Sequence, residues 1–194
     1  MRGAGQDIPL LYPLFLNLRD KRVLVVGAGA VAHHKVLALV EAGAQVLVVA
    51  PQAVASLASL AQAGRIRWEA RQFTETDVSG AWLVVAATSD SDVQRRAATA
   101  ATANRIFVVA VDDPPRSSAY AGAIVSRPPM MVAISSSGAA PALSRLIREL
   151  IEELLPSDDW IVHARRLRAD WRRDRVPMGE RFGRLVKEIM SRRQ

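Results

Sequence analysis

From residue 23 the chain reads Val-Leu-Val-Val, then Gly-Ala-Gly-Ala-Val-Ala, then a stretch with helical spacing over 33–43, then a second apolar run over 45–51. Apolar run, glycine turn, helical segment and apolar run within about 30 residues predict one β-α-β unit. Gly43 stands where a helix is normally closed, and Pro51 prevents simple continuation of the second strand. The pattern then repeats more loosely. It predicts a short strand over 66–70, a buried strand over 82–88, a helix over 90–104 with Asp90 as N-cap, and another strand over 106–111. Near-continuous apolar strands alternating with helices imply a parallel sheet covered on both faces.

The texture changes at Asp112-Asp113-Pro114-Pro115, where two prolines end the α/β rhythm and a polar, small-residue segment follows. A domain boundary is expected there. Two short strands, 123–126 and 130–136, are joined by Arg127-Pro128-Pro129 and read as a hairpin. The helix expected over 141–156 places Leu143, Leu146, Ile147, Leu150, Ile151, Leu154 and Leu155 at three- and four-residue spacing, so it should bury one stripe. Two further amphipathic helices are expected over 157–194, broken near Val176-Pro177.

Composition adds exclusions. Of 194 residues half are apolar, 23% charged and 5% aromatic, which is ordinary globular composition. The absence of cysteine excludes disulfides, zinc fingers, iron–sulfur clusters and thiol catalysis. Redox chemistry would need a borrowed cofactor. His33, His34 and His163 are the only histidines, and no metal site is assigned to them. The N-terminal residues lack an apolar signal core and no apolar stretch approaches the roughly 18 residues needed to span a bilayer, so a soluble cytoplasmic protein without a membrane partner is expected.

The net charge is +7, and all but Lys21, Lys35 and Lys187 of the 26 cations are arginine. Positive charge attracts any polyanion, small polycarboxylates included, and arginine suits bidentate carboxylate recognition. Residues 145–194 carry 13 cations against nine acids, interspersed as on a solvated helix face. No nucleic-acid docking motif is present, and no nucleic-acid partner is expected.

Gly27-Ala28-Gly29-Ala30-Val31-Ala32 is a G-x-G-x-x-A run between a buried strand and a helix, the context a dinucleotide fingerprint requires. Gly27 permits the tight turn, Gly29 lets a pyrophosphate approach the helix N-terminus, and Ala32 allows close helix-to-strand packing. The acid that usually holds the adenosine ribose is missing from Val48-Val49-Ala50-Pro51-Gln52, which leaves backbone groups or Gln52 for that task and leaves NAD against NADP open. Asp112 and Asp113 lie at the carboxyl end of the fifth strand, the sheet edge where ligands bind, and one of them could be a general base; adjacent acids before a proline equally make a solvated turn. Ser135-Ser136-Ser137-Gly138 precedes a helix and could hold an anion or be a plain connection.

Taken in order, the segments 11–51, 82–93, 111–116, 126–156 and 178–181 resemble the precorrin-2 dehydrogenase family of sirohaem synthesis, over nearly the whole chain. The resemblance implies an α/β fold in three parts: an NAD-binding Rossmann domain over 1–113, a small dimerisation domain over 114–147, and a helical C-terminal domain over 148–194, assembled as a homodimer. It leaves no room within the chain for a methyltransferase domain. The implied activity is oxidation of precorrin-2 to sirohydrochlorin with NAD as hydride acceptor; the alternatives are a bifunctional dehydrogenase and ferrochelatase, or a non-catalytic nucleotide-binding regulator or tetrapyrrole carrier.

The same resemblance implies Asp112 as the general base, with Asp113 second. It implies cofactor contacts at Gly27, Ala28, Gly29, Ala30, Val31, Val49, Ala50, Pro51, Gln52 and Thr88. Ser136, Arg127, Arg145 and Arg148 are implied contacts of the tetrapyrrole and its carboxylates. The chain departs from the family at Ala110 or its neighbours in front of the aspartate, where many members have Asn, and at Tyr120-Ala121-Gly122, where they have an aromatic–aliphatic–Pro run.

Overall fold

The computed structural model describes residues 10–155 and 158–191. They form two compact units, the first comprising residues up to Ala121 with Ser137–Ala139, the second Gly122–Ser136 with the residues from Ala140 onward.

In the first unit, β1 (Arg22–Val26), β2 (Gln45–Val49), β3 (Arg67–Glu69), β4 (Leu83–Ala86) and β5 (Phe107–Ala110) form one sheet in the order β3-β2-β1-β4-β5. All four pairings are parallel. Helices α1 (Ala30–Glu41), α2 (Ala55–Gln62) and α3 (Ser91–Ala103) connect the strands. The order reverses between β1 and β4, and the crevice outside the carboxyl ends of those strands is where a doubly wound sheet binds ligands.

Alternation along each strand sends successive side chains to opposite faces. Val23, Val25, Val46, Val48, Leu83 and Val85 pack with Ala32, Val36 and Leu39 of α1 and with Leu57 of α2. Leu24, Val26, Leu47, Val49, Val84, Ala86 and Val108 pack instead with Ala97, Ala98, Ala100 and Ala101 of α3. Both faces are therefore covered, as the continuous apolar runs require, and β-branched residues suit the pleated, doubly buried surface. The alanine face of α3 brings that helix close to the sheet.

The expected punctuation is present. Gly43, just past α1, has φ +78°, and the Asp90 side chain accepts hydrogen bonds from the Asp92 and Val93 N–H groups at 3.0 and 3.1 Å. Three elements go beyond the sequence reading. One is α2, whose Leu57 is fully buried. The others are 3-10 turns, one over Glu75–Val78 closed by a capping box between Thr74 and Asp77 and one over Pro114–Arg116.

In the second unit, β6 (Ala123–Arg127) and β7 (Met130–Ile134) form the expected antiparallel hairpin, with Val125 opposite Val132. Helices α4 (Pro141–Leu154), α5 (Asp158–Arg173) and α6 (Met178–Ser191) follow. The break between α5 and α6 falls at Val176-Pro177, as expected, and α4 runs without interruption through Arg148. The units part after Ala121, later in the chain than the boundary expected at Asp113.

Candidate functional site

At the carboxyl ends of the strands of the first unit lies a cleft of about 560 Å³. Its wall is made by the turn Gly27–Val31, by Ala50-Pro51-Gln52 after β2, by Ala87-Thr88-Ser89 after β4, and by Val111-Asp112 after β5. Nine of the ten cofactor positions expected from the sequence line it. The tenth, Val49, is buried behind it, where its carbonyl accepts the Gly27 N–H at 3.0 Å and so anchors the turn. Ala87, Ser89 and Val111 were not expected. Their signal was available in the rule that every strand of such a sheet contributes its carboxyl end.

The two glycines of the turn are glycine for different reasons. Gly27 has φ +104°, and a Cβ there would lie 2.3 Å from the Ala87 carbonyl oxygen, so the fold itself requires it. Gly29 has an ordinary extended backbone, and a Cβ there would meet nothing within 4 Å. Among the described residues nothing demands glycine at that position, and the space a Cβ would fill stands open beside the N-terminus of α1. The first turn of α1 carries no acidic residue and its N-cap offers no side chain, so its N–H groups face the cleft bare. This donor set fits the pyrophosphate of a dinucleotide.

The β2 end of the cleft is braced from behind. Trp68 Nε1 donates to the Ala50 carbonyl at 3.0 Å, and the Val54 N–H donates to the Ala28 carbonyl at 3.0 Å. No lysine or arginine lines the cleft. Arg71, which follows β3, is held by both carboxylate oxygens of Asp77, at 2.6 and 2.8 Å, and by Glu69. That bidentate pair, with the Thr74 N–H, holds the Asp77 carboxyl below the usual carboxylate range and raises the Arg71 guanidinium. A ribose 2′-phosphate would therefore find no cation on the cleft wall, whereas a ribose hydroxyl can use Gln52 and backbone groups.

Asp112 is the only charged residue of the lining. It stands just past β5 with φ +58°, a left-handed backbone that aspartate tolerates better than most residues. Among the described residues its exposed carboxylate has no hydrogen-bond or ion-pair partner. Asp113 differs: it is half-buried and its carboxylate is 2.5 Å from Arg116 Nη1. Of the two adjacent acids, one is engaged and the other is open to the cleft. Asp112 also lines an adjoining cleft of about 410 Å³ together with Gln94, Arg95, Asp113 and Arg116.

The other residues expected at the site belong to the second unit. Ser136 Oγ accepts the Ala140 N–H at 3.1 Å at the start of α4. Arg145 pairs with Glu149 at 3.0 Å, and Arg148 with Glu152 at 2.6 Å and Glu149 at 3.3 Å. Arg127 Nη2 is 3.4 Å from the Glu152 carbonyl oxygen, while its buried Nε has no partner among the described residues. Among the described residues no group of three metal-ligating side chains occurs, and no helix is long and apolar enough to cross a membrane.

Comparison with known proteins places these observations in a family. An NAD(P)-binding family model matches residues 14–123, and a model of the sirohaem biosynthesis protein central region matches residues 127–154. Siroheme synthase 3 of Aeromonas hydrophila is 46% identical over 144 residues, 74% of this chain and 31% of that protein. Siroheme synthase 1 of Cronobacter sakazakii is 48% identical over 145 residues, 75% of this chain and 31% of that protein. The chain thus matches less than a third of the length of these curated relatives. A solved structure of SirC, a precorrin-2 dehydrogenase, shares the fold with a TM-score of 0.74 at 24% identity, over 91% of this chain and 88% of that one. The first family model spans more than half of the chain, so the chain belongs to that NAD(P)-binding family, and the segment that follows is similar to the central region of sirohaem biosynthesis proteins.

Proposed function

We propose that the protein is an NAD-dependent dehydrogenase that oxidises precorrin-2 to sirohydrochlorin, with Asp112 as general base. The observation that carries this reading is the unengaged Asp112 carboxylate, alone among charged groups on the wall of a cleft headed by the glycine turn. The sirohaem biosynthesis central segment and the siroheme synthase relatives support the tetrapyrrole substrate.

The residues divide the work as follows. The N–H groups at the start of α1 bind the pyrophosphate, with Gly29 allowing its approach. Gln52 and the backbone of Ala50 and Pro51 take the adenosine ribose, and the absence of a cation there favours NAD over NADP. Thr88 and Val111, which line the cleft after β4 and β5, would hold the remainder of the dinucleotide. The bound oxidised nicotinamide supplies a hydride acceptor, so that the macrocycle loses one hydride and one proton and gains one double bond. Asp112 takes the proton, which its unpaired carboxylate is free to do. Ser136, Arg127, Arg145 and Arg148 are assigned to the substrate and its carboxylates, and the basic net charge favours approach of a polycarboxylate. The segment 114–147 is assigned to dimerisation, and the homodimer is expected to act in the cytoplasm.

The reading is tested by an anaerobic absorbance assay with precorrin-2 and either NAD⁺ or NADP⁺. Sirohydrochlorin and NADH are expected to form together, faster with NAD⁺. Gly29→Asp is expected to fold, because its Cβ has open space, yet to lose NAD⁺ binding in calorimetry by at least about a hundredfold, since it sets a carboxylate against the pyrophosphate. Folded wild-type protein that yields neither product overturns the proposal.

A further inference from the structure

We propose that Ser117, assisted by Gln94, is a positioning residue for Asp112; the inference rests on the role given to Asp112 above. Asp112 occupies a left-handed conformation in a turn at the open edge of the sheet, where β5 has no strand beyond it. Such a residue stays in place only where its neighbours hold it, and here each neighbour is tied.

On the near side, the Val111 N–H donates to the Ala86 carbonyl at 2.9 Å, continuing the ladder between β4 and β5 by one residue. Gln94 Nε2, from α3, donates to the Val111 carbonyl at 2.8 Å. On the far side, the Asp113 N–H closes the turn onto the Ala110 carbonyl at 3.2 Å, and Arg116 holds the Asp113 carboxylate. Ser117 joins the two sides. Its Oγ accepts the N–H of buried Ala110 at 2.9 Å, and its single proton is within reach of the Ala110 carbonyl at 3.1 Å and the Asp113 carbonyl at 3.2 Å. Along this edge Ser118 satisfies Val108, while the Ser117 hydroxyl satisfies Ala110 and reaches Asp113, so that it spans the residues on either side of Asp112. The Asp112 carboxylate is what the bracing leaves open to the cleft.

A hydroxyl at this position is therefore worth more to turnover than to binding. Ser117→Ala is expected to lower kcat about ten- to a hundredfold, as loss of near-attack geometry does, with KM for NAD⁺ changed less than about twofold. Ser117→Thr, which keeps the Oγ, is expected to restore most of the rate. In an Asp112→Ala background Ser117→Ala is expected to add almost nothing, because a residue that acts through another loses its effect when that other is gone. Gln94→Ala, which reaches the turn from α3 without touching Ser117, is expected to show the same pattern more weakly, and it keeps the test available if Ser117→Ala does not fold. Equal and additive losses of rate in both Asp112 backgrounds, or a fall in melting temperature with unchanged kcat of the folded protein, would assign Ser117 a purely structural role and overturn the proposal. Should wild-type protein prove inactive on precorrin-2, the functional reading falls first. A crystal structure of Ser117→Ala then tests the positioning itself, which predicts that Asp112 leaves its left-handed conformation; an unchanged turn contradicts it.

Discussion

The two units of the chain differ in how many of their apolar residues they bury, although both leave some exposed, Leu14, Phe15 and Trp82 in the first among them. In the first, Val23–Val26 and Leu83–Ala86 are buried without exception, and each face of the sheet is closed by helices of the same unit. In the second, Val125, Ser144 and Val176 are the buried residues among those described, while Leu143, Leu146, Leu150 and Leu154 of α4 and Met178, Phe182 and Val186 of α6 stand exposed. Those side chains recur at three-, four- and eight-residue spacing, as on a face made to be covered. The first unit completes its own core. The second exposes apolar side chains along α4 and along α6, which supports the proposed homodimer.

The sharpest way to break this comparison is a charge in the first core. Val84→Asp sets a carboxylate among Leu24, Val108 and the alanines of α3 with no partner to meet it, and should cost about 4 kcal/mol or more, enough to unfold the first unit in denaturant titrations. A smaller effect is expected at Asp77, whose carboxyl is held below its ordinary value by Arg71 and the Thr74 N–H. Because the folded state binds that proton more weakly than the unfolded chain, the stabilisation is complete above the unfolded value near 4 and is lost as pH falls through the folded one. Asp77→Asn should therefore cost about 1–2 kcal/mol at pH 6, and the gap in melting temperature between variant and wild type should close towards pH 3. The smallest change in folding stability is expected from Leu146→Ser with Leu150→Ser, below about 1 kcal/mol because both side chains are already half exposed. Sedimentation should nonetheless show weaker self-association. A loss of stability comparable to that of Val84→Asp would erase the distinction between the units.

Much of the first unit was legible because its signals are local and agree. Runs such as Val23–Val26 admit few alternatives once Gly27 and Gly29 follow them, and Asp90 and Gly43 mark helix ends by their own chemistry. The helix α2 escaped because serines interrupt Ala55–Gln62 and leave Leu57 and Leu60 as weak evidence of a face. Only packing on the sheet reveals it. The site divides in the same manner. The glycine turn is a contiguous motif and was readable, but the engagement of Asp113 by Arg116, the clamp of Gln94 on Val111 and the triple role of Ser117 join residues that carry no motif. Sequence spacing offered Asp112 and Asp113 as near equivalents; hydrogen bonding separates them.

The account rests on Asp112 as a base that acts on substrate after the dinucleotide is bound. The most direct measurement is single-turnover oxidation of precorrin-2 by wild-type and Asp112→Ala protein under anaerobic conditions, following NADH by absorbance, with NAD⁺ affinity measured on the same samples. The account predicts unchanged NAD⁺ affinity and a rate lowered by about a hundredfold or more in the variant, in line with loss of a general base. Turnover by Asp112→Ala at the wild-type rate would contradict it.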